Sequence, residues 1–133
     1  MSNDPAPRHQ SRERALTLLY EAELKGETPL AVLDALPVVP DPYVTTLMAA
    51  IADRREEIDA LVSDAAIGWD LHRMAVVDRN VLRLATAELL ASDDVPTAVI
   101  LNEAVELASA FSTDDSGRFV NGVLATIATR VRT

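Results

Sequence analysis

The sequence contains no cysteine and only two histidines among its 133 residues. Without thiols it can form neither a disulfide nor a thiolate metal site, so nothing in it requires an oxidising compartment. The histidines, His9 and His72, lie in different segments, and neither has a second histidine at the spacing of a metal site. We therefore expect no metal centre and no cofactor.

Glycine and long apolar runs are also scarce. Four glycines are too few for a phosphate-cradling loop, and no spacing supports a Ser/His/Asp triad. No apolar run approaches the length of a membrane span, and the N-terminus lacks the apolar core of a signal peptide. These absences predict a protein that is not an enzyme, has no membrane association and is cytoplasmic.

The acidic charge is unevenly distributed. The net charge is −9, yet residues 1–14 carry +1 and residues 118–133 carry +3, which leaves −13 between them. If the two ends meet in the fold, they form one basic face on an acidic body, and the local field decides whether a phosphate backbone can dock. The arginines near residue 8 oppose a helix dipole, so they are either an anion-binding cluster or a solvated basic tip.

Apolar residues recur at helical spacing along most of the chain, and no segment alternates like a strand. We predict an all-α fold of about seven helices, with a disordered tail at residues 1–8 and a single domain at residues 9–133. Residues 37–42 form a proline-rich linker, and residues 53–57 are either a kink between two helices or one solvated stretch. The domain divides into halves at about residues 9–70 and 71–133.

The segment at residues 111–124 begins the last helix. Ser112, Thr113 and Ser116 are candidate N-caps. Asn121 and Gly122 interrupt its apolar face, and a glycine inside a helix costs roughly 1 kcal/mol relative to alanine. We expect another backbone to approach closely at Gly122 and a polar partner for Asn121 inside the molecule.

Two further side chains carry expectations about burial. Glu88 lies in line with an apolar helical face, so it should be hydrogen-bonded or at the rim. Trp69 is most simply a core anchor. Glu103 and Glu106 are spaced like a salt-bridged or exposed pair rather than a catalytic one.

Several motifs together resemble one known family, the NusB proteins. They stand in the order and spacing of that family over almost the whole chain, from about residue 8 to residue 131, and least well at residues 28–41. The motifs are Arg12-Glu13-Arg14-Ala15-Leu16 with Leu19-Tyr20, Val77-Asp78-Arg79-Asn80-Val81-Leu82-Arg83, Glu88-Leu89, Val95-Pro96, Asn102-Glu103-Ala104-Val105-Glu106-Leu107-Ala108 and Phe119-Val120-Asn121-Gly122-Val123-Leu124.

The resemblance implies two small packed helical bundles and no enzymatic activity. NusB proteins are transcription antitermination factors. They pair with NusE, a small-subunit ribosomal protein, and bind the boxA element of nascent single-stranded RNA, notably in ribosomal RNA leaders. The complex joins RNA polymerase and promotes read-through of termination signals.

The resemblance also assigns site residues, matched position by position. The implied RNA-binding residues are Arg8, His9, Gln10, Arg12, Asp115, Arg118 and Phe119, and the implied partner-binding residues are Tyr20, Asp78 and Glu88. His9 and Gln10 stand where arginine is frequent, which predicts a weaker RNA contact. Ser109 replaces a common lysine and Ala87 a common tyrosine, so we expect a lost phosphate contact and an altered surface beside Glu88.

Two alternatives stay open at this stage. The chain can be a helical scaffold that self-associates, since its apolar content allows homo-oligomerisation. It can also be a stand-alone relative of the RNA-binding domain that precedes the catalytic domain of some ribosomal RNA methyltransferases. Phe119 can serve core packing, RNA stacking or both.

Overall fold

The computed structural model describes residues 7–132, and within that range the chain forms seven α-helices and one 3-10 turn with no strand. This confirms the predicted all-α fold. The helices are α1 (Arg8–Lys25), α2 (Pro29–Asp34), α3 (Pro42–Asp53), α4 (Arg55–Ala65), α5 (Val76–Ala91), α6 (Thr97–Phe111) and α7 (Asp114–Val131), and the 3-10 turn is Leu71–Arg73.

The predicted disordered tail falls mostly outside the described residues, which exclude residues 1–6. Arg8 is already the first residue of α1, so this helix begins one residue before the predicted start at His9. The stretch at residues 53–57 is a break between two helices, because α3 ends at Asp53 and α4 begins at Arg55. None of the described helices combines the length and apolar content needed to cross a membrane.

Local chemistry explains the helix ends. The Thr28 hydroxyl accepts a hydrogen bond from the Ala31 backbone N–H at 3.1 Å and caps α2. Among the candidate caps of the last helix, Thr113 takes this role by accepting from the Ser116 N–H at 3.1 Å. α1 ends at Gly26, whose left-handed φ of 65° suits a residue without a Cβ.

Helix α5 lies at the centre of the molecule. It packs against α1, α3, α4, α6 and α7, and 10 of its 16 residues are buried. A helix contacted on all sides loses its solvent face, which explains why even polar residues of α5 are buried. One connected hydrophobic core joins residues from α1 through α7, and the predicted division near residue 70 stays a prediction.

The expectation of a close approach at Gly122 is wrong. A Cβ built at Gly122 has no neighbour within 4 Å, and Asn121 beside it is exposed. The close contact occurs instead at Gly117, where a Cβ would lie 2.5 Å from the Ser109 Oγ and 3.3 Å from the Val105 Cγ1. Helices α6 and α7 therefore approach one turn before the Asn-Gly pair.

Candidate functional site

The first turn of α1 presents Arg8, His9 and Gln10 on the surface. The Arg8 guanidinium donates to the Asp94 carboxylate at 3.1 Å and lies 4.4 Å from the centre of the Tyr43 ring. Its side chain is still 44% exposed. A cation held over an aromatic face is oriented rather than free, so Arg8 offers a pre-positioned charge at this end of the helix.

His9 is paired with a carboxylate of α6. Its Nδ1 lies 2.7 Å from Glu103 Oε2. The hydrogen bond to Glu103, followed by the charge of that carboxylate, raises the pKa of His9 above its ordinary value of 6.5. The imidazolium form therefore persists to higher pH than in an isolated histidine, which increases the positive charge at the start of α1.

Arg12 is buried, contrary to its predicted role as an RNA contact. Its Nε donates to Glu88 Oε1 at 2.8 Å and its Nη2 to Glu88 Oε2 at 2.6 Å, and the two side chains are 4% and 1% exposed. Glu88 is hydrogen-bonded as expected, but its predicted contact with a partner does not fit this burial. Both groups instead fix α1 against α5.

The Tyr43 hydroxyl completes this buried cluster. It donates to Glu88 Oε2 at 2.6 Å and lies 3.0 Å from the Ser92 Oγ. Burial and the hydrogen bond to Glu88 raise the pKa of Tyr43 to about 12. Burial alone would lower the pKa of Arg12, but the hydrogen bonds and charge of Glu88 outweigh it and raise that pKa. Neighbouring Ala87 is fully buried, so it does not alter the surface as expected.

A second group of predicted residues surrounds a pocket of about 210 Å³ at the start of α7, here called the Trp69 pocket. Asp78, Asp115 and Phe119 line it together with Trp69. The Trp69 ring meets the Phe119 ring edge to face at a centroid distance of 5.7 Å. Trp69 is 54% exposed, so its predicted role as a core anchor is wrong.

Asp78 is held at the floor of this region by α7. Its Oδ2 accepts from the Ser116 Oγ at 3.2 Å, whereas its Oδ1 is buried with no hydrogen-bond partner. Arg118 donates to Asp115, and both side chains are largely exposed, at 78% and 86%. Phe119 is partly buried and packs against the core while also lining the pocket.

Tyr20 lies at a neighbouring apolar pocket of about 250 Å³ between α1, α5 and α6, here called the Tyr20 pocket. Its lining includes Leu16, Val77 and Phe111. Tyr20 and Phe111 are 41% and 48% exposed. Two half-exposed aromatic side chains beside a concave apolar surface are typical of a protein-binding patch.

The predicted site residues thus form two clusters rather than one. α1 runs antiparallel to α5, because Arg12 pairs with Glu88 whereas Glu23 pairs with Arg79. The start of α1 therefore lies near the C-terminal end of α5, and Asp78 lies near the N-terminal end. Glu88 and Asp78, which mark the two positions on α5, are about 15 Å apart along the helix axis. The residues before α7 therefore approach the middle of α1, where Phe111 shares a pocket with Leu16 and Tyr20, rather than its basic first turn.

The two ends of the described chain do approach each other, at the loop of residues 92–96. Arg8 contacts Asp94 there, and Arg132 donates to the carbonyl oxygens of Ser92 at 2.8 Å and Val95 at 2.6 Å. Arg132 therefore stabilises the α5–α6 loop, and its guanidinium donors are occupied rather than available to a phosphate. Arg130 stays exposed in the last turn of α7, so the expected basic face keeps this residue and the first turn of α1 but loses Arg132.

Sequence reasoning missed two contributors to these clusters. Tyr43 orients Arg8 from α3, and its role depends on contacts with residues distant in sequence. Trp69 is the only tryptophan of the chain and follows the left-handed Gly68, whose φ is 84°. Trp69 stands between Gly68 and Asp70, and both of these residue types are typical of surface loops.

Comparisons with known proteins identify a family for this chain. The model of the NusB family matches residues 9–129. The transcription antitermination protein NusB of Saccharopolyspora erythraea is 50% identical over 127 residues, which cover 91% of this chain and 86% of that protein. The protein of the same name from Acidothermus cellulolyticus is 48% identical over 124 residues, which cover 90% and 86%.

Solved structures are similar as well. T. maritima NusB has a TM-score of 0.89 and 35% identity, with 98% of this chain and 96% of that one covered. A crystal structure of the antitermination factors NusB and NusE in complex with dsRNA gives a TM-score of 0.79 and 27% identity, with 92% and 96% covered. Since the family model spans most of the sequence, the chain belongs to the NusB family.

Proposed function

We propose that this chain is a transcription antitermination factor that binds boxA-type RNA together with NusE and promotes read-through by RNA polymerase, notably in ribosomal RNA operons. The observation that carries the proposal is its membership of the NusB family, with relatives named as antitermination proteins at 50% and 48% identity. The solved complex of related NusB and NusE with dsRNA supports both partners.

The surface at the start of α1 suits RNA. Arg8, His9 and Gln10 are exposed on adjacent positions of one helical turn, and Arg8 is oriented by Tyr43 and Asp94. Phosphates require a local basic patch rather than a basic protein. Arg118, exposed on α7 at a depression that Asn102 of α6 also lines, provides a second cation, so an extended strand can contact both surfaces.

The Tyr20 pocket suits the protein partner. Its apolar lining and half-exposed aromatic residues provide the central part of an interface, and Asp78 adds a carboxylate on the same helix as Val77. Because this pocket is far along α5 from Arg8, both ligands can bind at once. We infer that NusE and RNA occupy neighbouring surfaces rather than compete.

Titration of labelled boxA RNA into the chain, with and without purified NusE, tests the proposal. We expect weak, salt-sensitive RNA binding by the chain alone and tighter binding when NusE is present. Absence of a ternary complex at low salt would contradict the proposal. Sedimentation over a concentration series with both ligands would separate it from a scaffold that only self-associates.

We also propose that the chain acts by binding and catalyses no reaction. The relatives named as antitermination proteins support this. Calorimetry with S-adenosylmethionine checks the alternative of a methyltransferase relative, and saturable binding of that cofactor would contradict the proposal.

A further inference from the structure

The imidazole of His9 in α1 meets two carboxylates of α6 at one point of the surface. One ligand atom from each of His9, Glu103 and Glu106 can be chosen so that all three atoms lie within 4.8 Å of one another. The His9 Nδ1 and the Glu103 Oε2 are 2.7 Å apart. Residues 103 and 106 share one face of α6, because they are about one helical turn apart. These three residues are here called the His9 cluster.

The charges around the His9 cluster favour a cation. Three carboxylates, those of Glu103, Glu13 and Glu106, are near enough for their charges to act on the imidazole. The nearest cation is Arg12, whose Nη1 lies 3.5 Å from the Glu103 Oε1, but its closest contact is with a carboxylate of α5 at 2.6 Å. A neutral imidazole among these carboxylates therefore leaves a negative site, which attracts a divalent cation strongly.

The ligand set fits a transition metal of the zinc class. Imidazole and carboxylate are both ordinary ligands of Zn²⁺, whereas Mg²⁺ and Ca²⁺ prefer oxygen ligands alone. With bonds of about 2.0–2.2 Å, the ligand atoms of a tetrahedral ion lie roughly 3.4 Å apart. This separation falls between the 2.7 Å that joins His9 to Glu103 and the 4.8 Å limit of the cluster, so small side-chain rotations bring all three ligands to one ion.

Glu103 is already oriented for such a contact. Its Oε1 faces the buried Arg12, which leaves its Oε2 toward His9, and ligating carboxylates are commonly oriented by a partner of this kind. The His9 side chain is 46% exposed and the Glu103 side chain 21%, and Glu106 is exposed, so an ion can enter from solvent. The imidazole and the anchored carboxylate distinguish the His9 cluster from an ordinary group of surface acids.

We propose that the His9 cluster binds one divalent transition-metal ion, Zn²⁺ by its ligand chemistry, and that the ion joins the first turn of α1 to α6. Three protein ligands leave a fourth position for water. Metal binding at this point is independent of the proposed function, because it requires neither RNA nor NusE. The spacing of the histidines predicted no metal centre, since 94 positions separate His9 from Glu103 and only the fold brings them together.

The presence of only two histidines in the chain allows a direct test. The untagged chain is freed of metal with a chelator and titrated with ZnCl₂ in a calorimeter, and NMR follows the ring protons of His9 and His72. We expect saturable uptake of one equivalent, with the resonances of His9 shifting and those of His72 staying in place. His9→Gln and Glu106→Gln should each weaken Zn²⁺ binding by at least about tenfold, since even groups that only orient a ligand contribute this much.

Matched variants control for general effects on the surface. His72→Gln removes an exposed imidazole elsewhere, and Glu57→Gln removes a carboxylate of α4 whose side chain is 55% exposed; both should leave Zn²⁺ affinity unchanged. Circular dichroism should give the wild-type helix content for every variant. The melting temperature should rise with Zn²⁺ in the wild-type chain and in His72→Gln but not in His9→Gln, because only a bound ion stabilises the folded state.

Two results overturn the inference. If the wild-type chain takes up no Zn²⁺ saturably, or if His9→Gln and Glu106→Gln bind it as tightly as the wild-type chain, the His9 cluster is not a metal site. If His72→Gln weakens binding as much as His9→Gln does, surface imidazoles hold the ion without a defined site. Neither result bears on the proposed function, which the ternary complex with NusE and RNA decides.

Discussion

At the scale of single residues, the most consequential contact is the buried pair of Arg12 and Glu88. It lies between α1 and α5 and is joined by the Tyr43 hydroxyl. Taking two charges out of water is unfavourable, and the pair is tolerated because its geometry is bidentate and its remaining acceptor is hydrogen-bonded. The pair therefore specifies how two helices meet more than it adds net stability.

Removing one partner of this pair should be much worse than removing both. Arg12→Met leaves the Glu88 carboxylate buried without its cation, and we expect a loss of about 3–5 kcal/mol in the free energy of unfolding. The double variant Arg12→Met with Glu88→Leu should recover a large part of that loss. Urea unfolding measures the free energy of unfolding of the single and the double variant. Arg14→Met, at an exposed position of α1, is the control and should change stability by less than about 0.5 kcal/mol.

The pKa of His9 offers a second test at this scale. Glu103 raises it above 6.5, so the ion pair contributes stability that is fully present below pH 6.5 and is lost as the pH rises through the raised value. Glu103→Gln should lower the pKa of His9, measured by NMR titration of its ring protons. Glu106→Gln should lower it less, because its charge has the smaller effect. An equal fall in both variants would be inconsistent with the observed pairing.

At the scale of helices, periodicity predicted most elements, whereas contacts between distant elements were not predictable. The apolar spacing predicted about seven helices, and it left open whether residues 53–57 separate two helices or form one solvated stretch. The same periodicity could not say which glycine of α7 meets α6, because Gly117 and Gly122 lie on one helix and differ only in what faces them. Likewise Arg12 is buried by a residue 76 positions away, which no local pattern reveals.

Alanine at the two glycines of α7 should have different effects. Gly122→Ala should stabilise the protein by about 0.5–1 kcal/mol, because alanine lowers the entropy of the unfolded chain and the added Cβ meets nothing. Gly117→Ala should give a less stable protein than Gly122→Ala, since its Cβ would press on Ser109 and Val105. Thermal unfolding gives the order of stability of the two variants and the wild-type protein. Adding Ser109→Ala to Gly117→Ala should reduce the difference in stability between the Gly117→Ala and Gly122→Ala variants. If the added substitution leaves that difference unchanged, the contact between position 117 and Ser109 does not limit stability.

At the scale of the whole molecule, the two clusters lie at opposite ends of α5, which acts as the spacer between the first turn of α1 and the pockets near Asp78. Family resemblance identified most of the exposed residues in both clusters, but it could not show that the residues assigned to RNA divide between them. That division depends on the antiparallel packing of α1 on α5, which only the three-dimensional arrangement reveals.

Variants at the two ends should therefore separate the two binding activities. Arg8→Gln should weaken RNA binding and reduce the slope of log affinity against log salt by about 0.7, the value for one phosphate contact to a single strand, without changing NusE affinity. Tyr20→Ala should weaken NusE binding without changing RNA affinity or its salt dependence. Fluorescence titrations over a salt series measure the first effect and calorimetry the second.

Arg54→Gln is the matched control for Arg8→Gln, because the two arginines are similarly exposed, at 43% and 44%. It should alter neither affinity. If Arg54→Gln weakens RNA binding as much as Arg8→Gln does, the effect is one of total charge and not of the α1 surface.

The packing of α1 on α5 also affects how the chain folds. The ion pairs that hold these helices together join residues 56 to 76 positions apart, so α2 and α3 cover only part of the buried face of α1 until α5 has been synthesised. Closing so long a loop is slow for a helical protein. During translation the uncovered part of the first helix is therefore accessible to chaperones and proteases, and the docking of α5 is the step that ends this exposure.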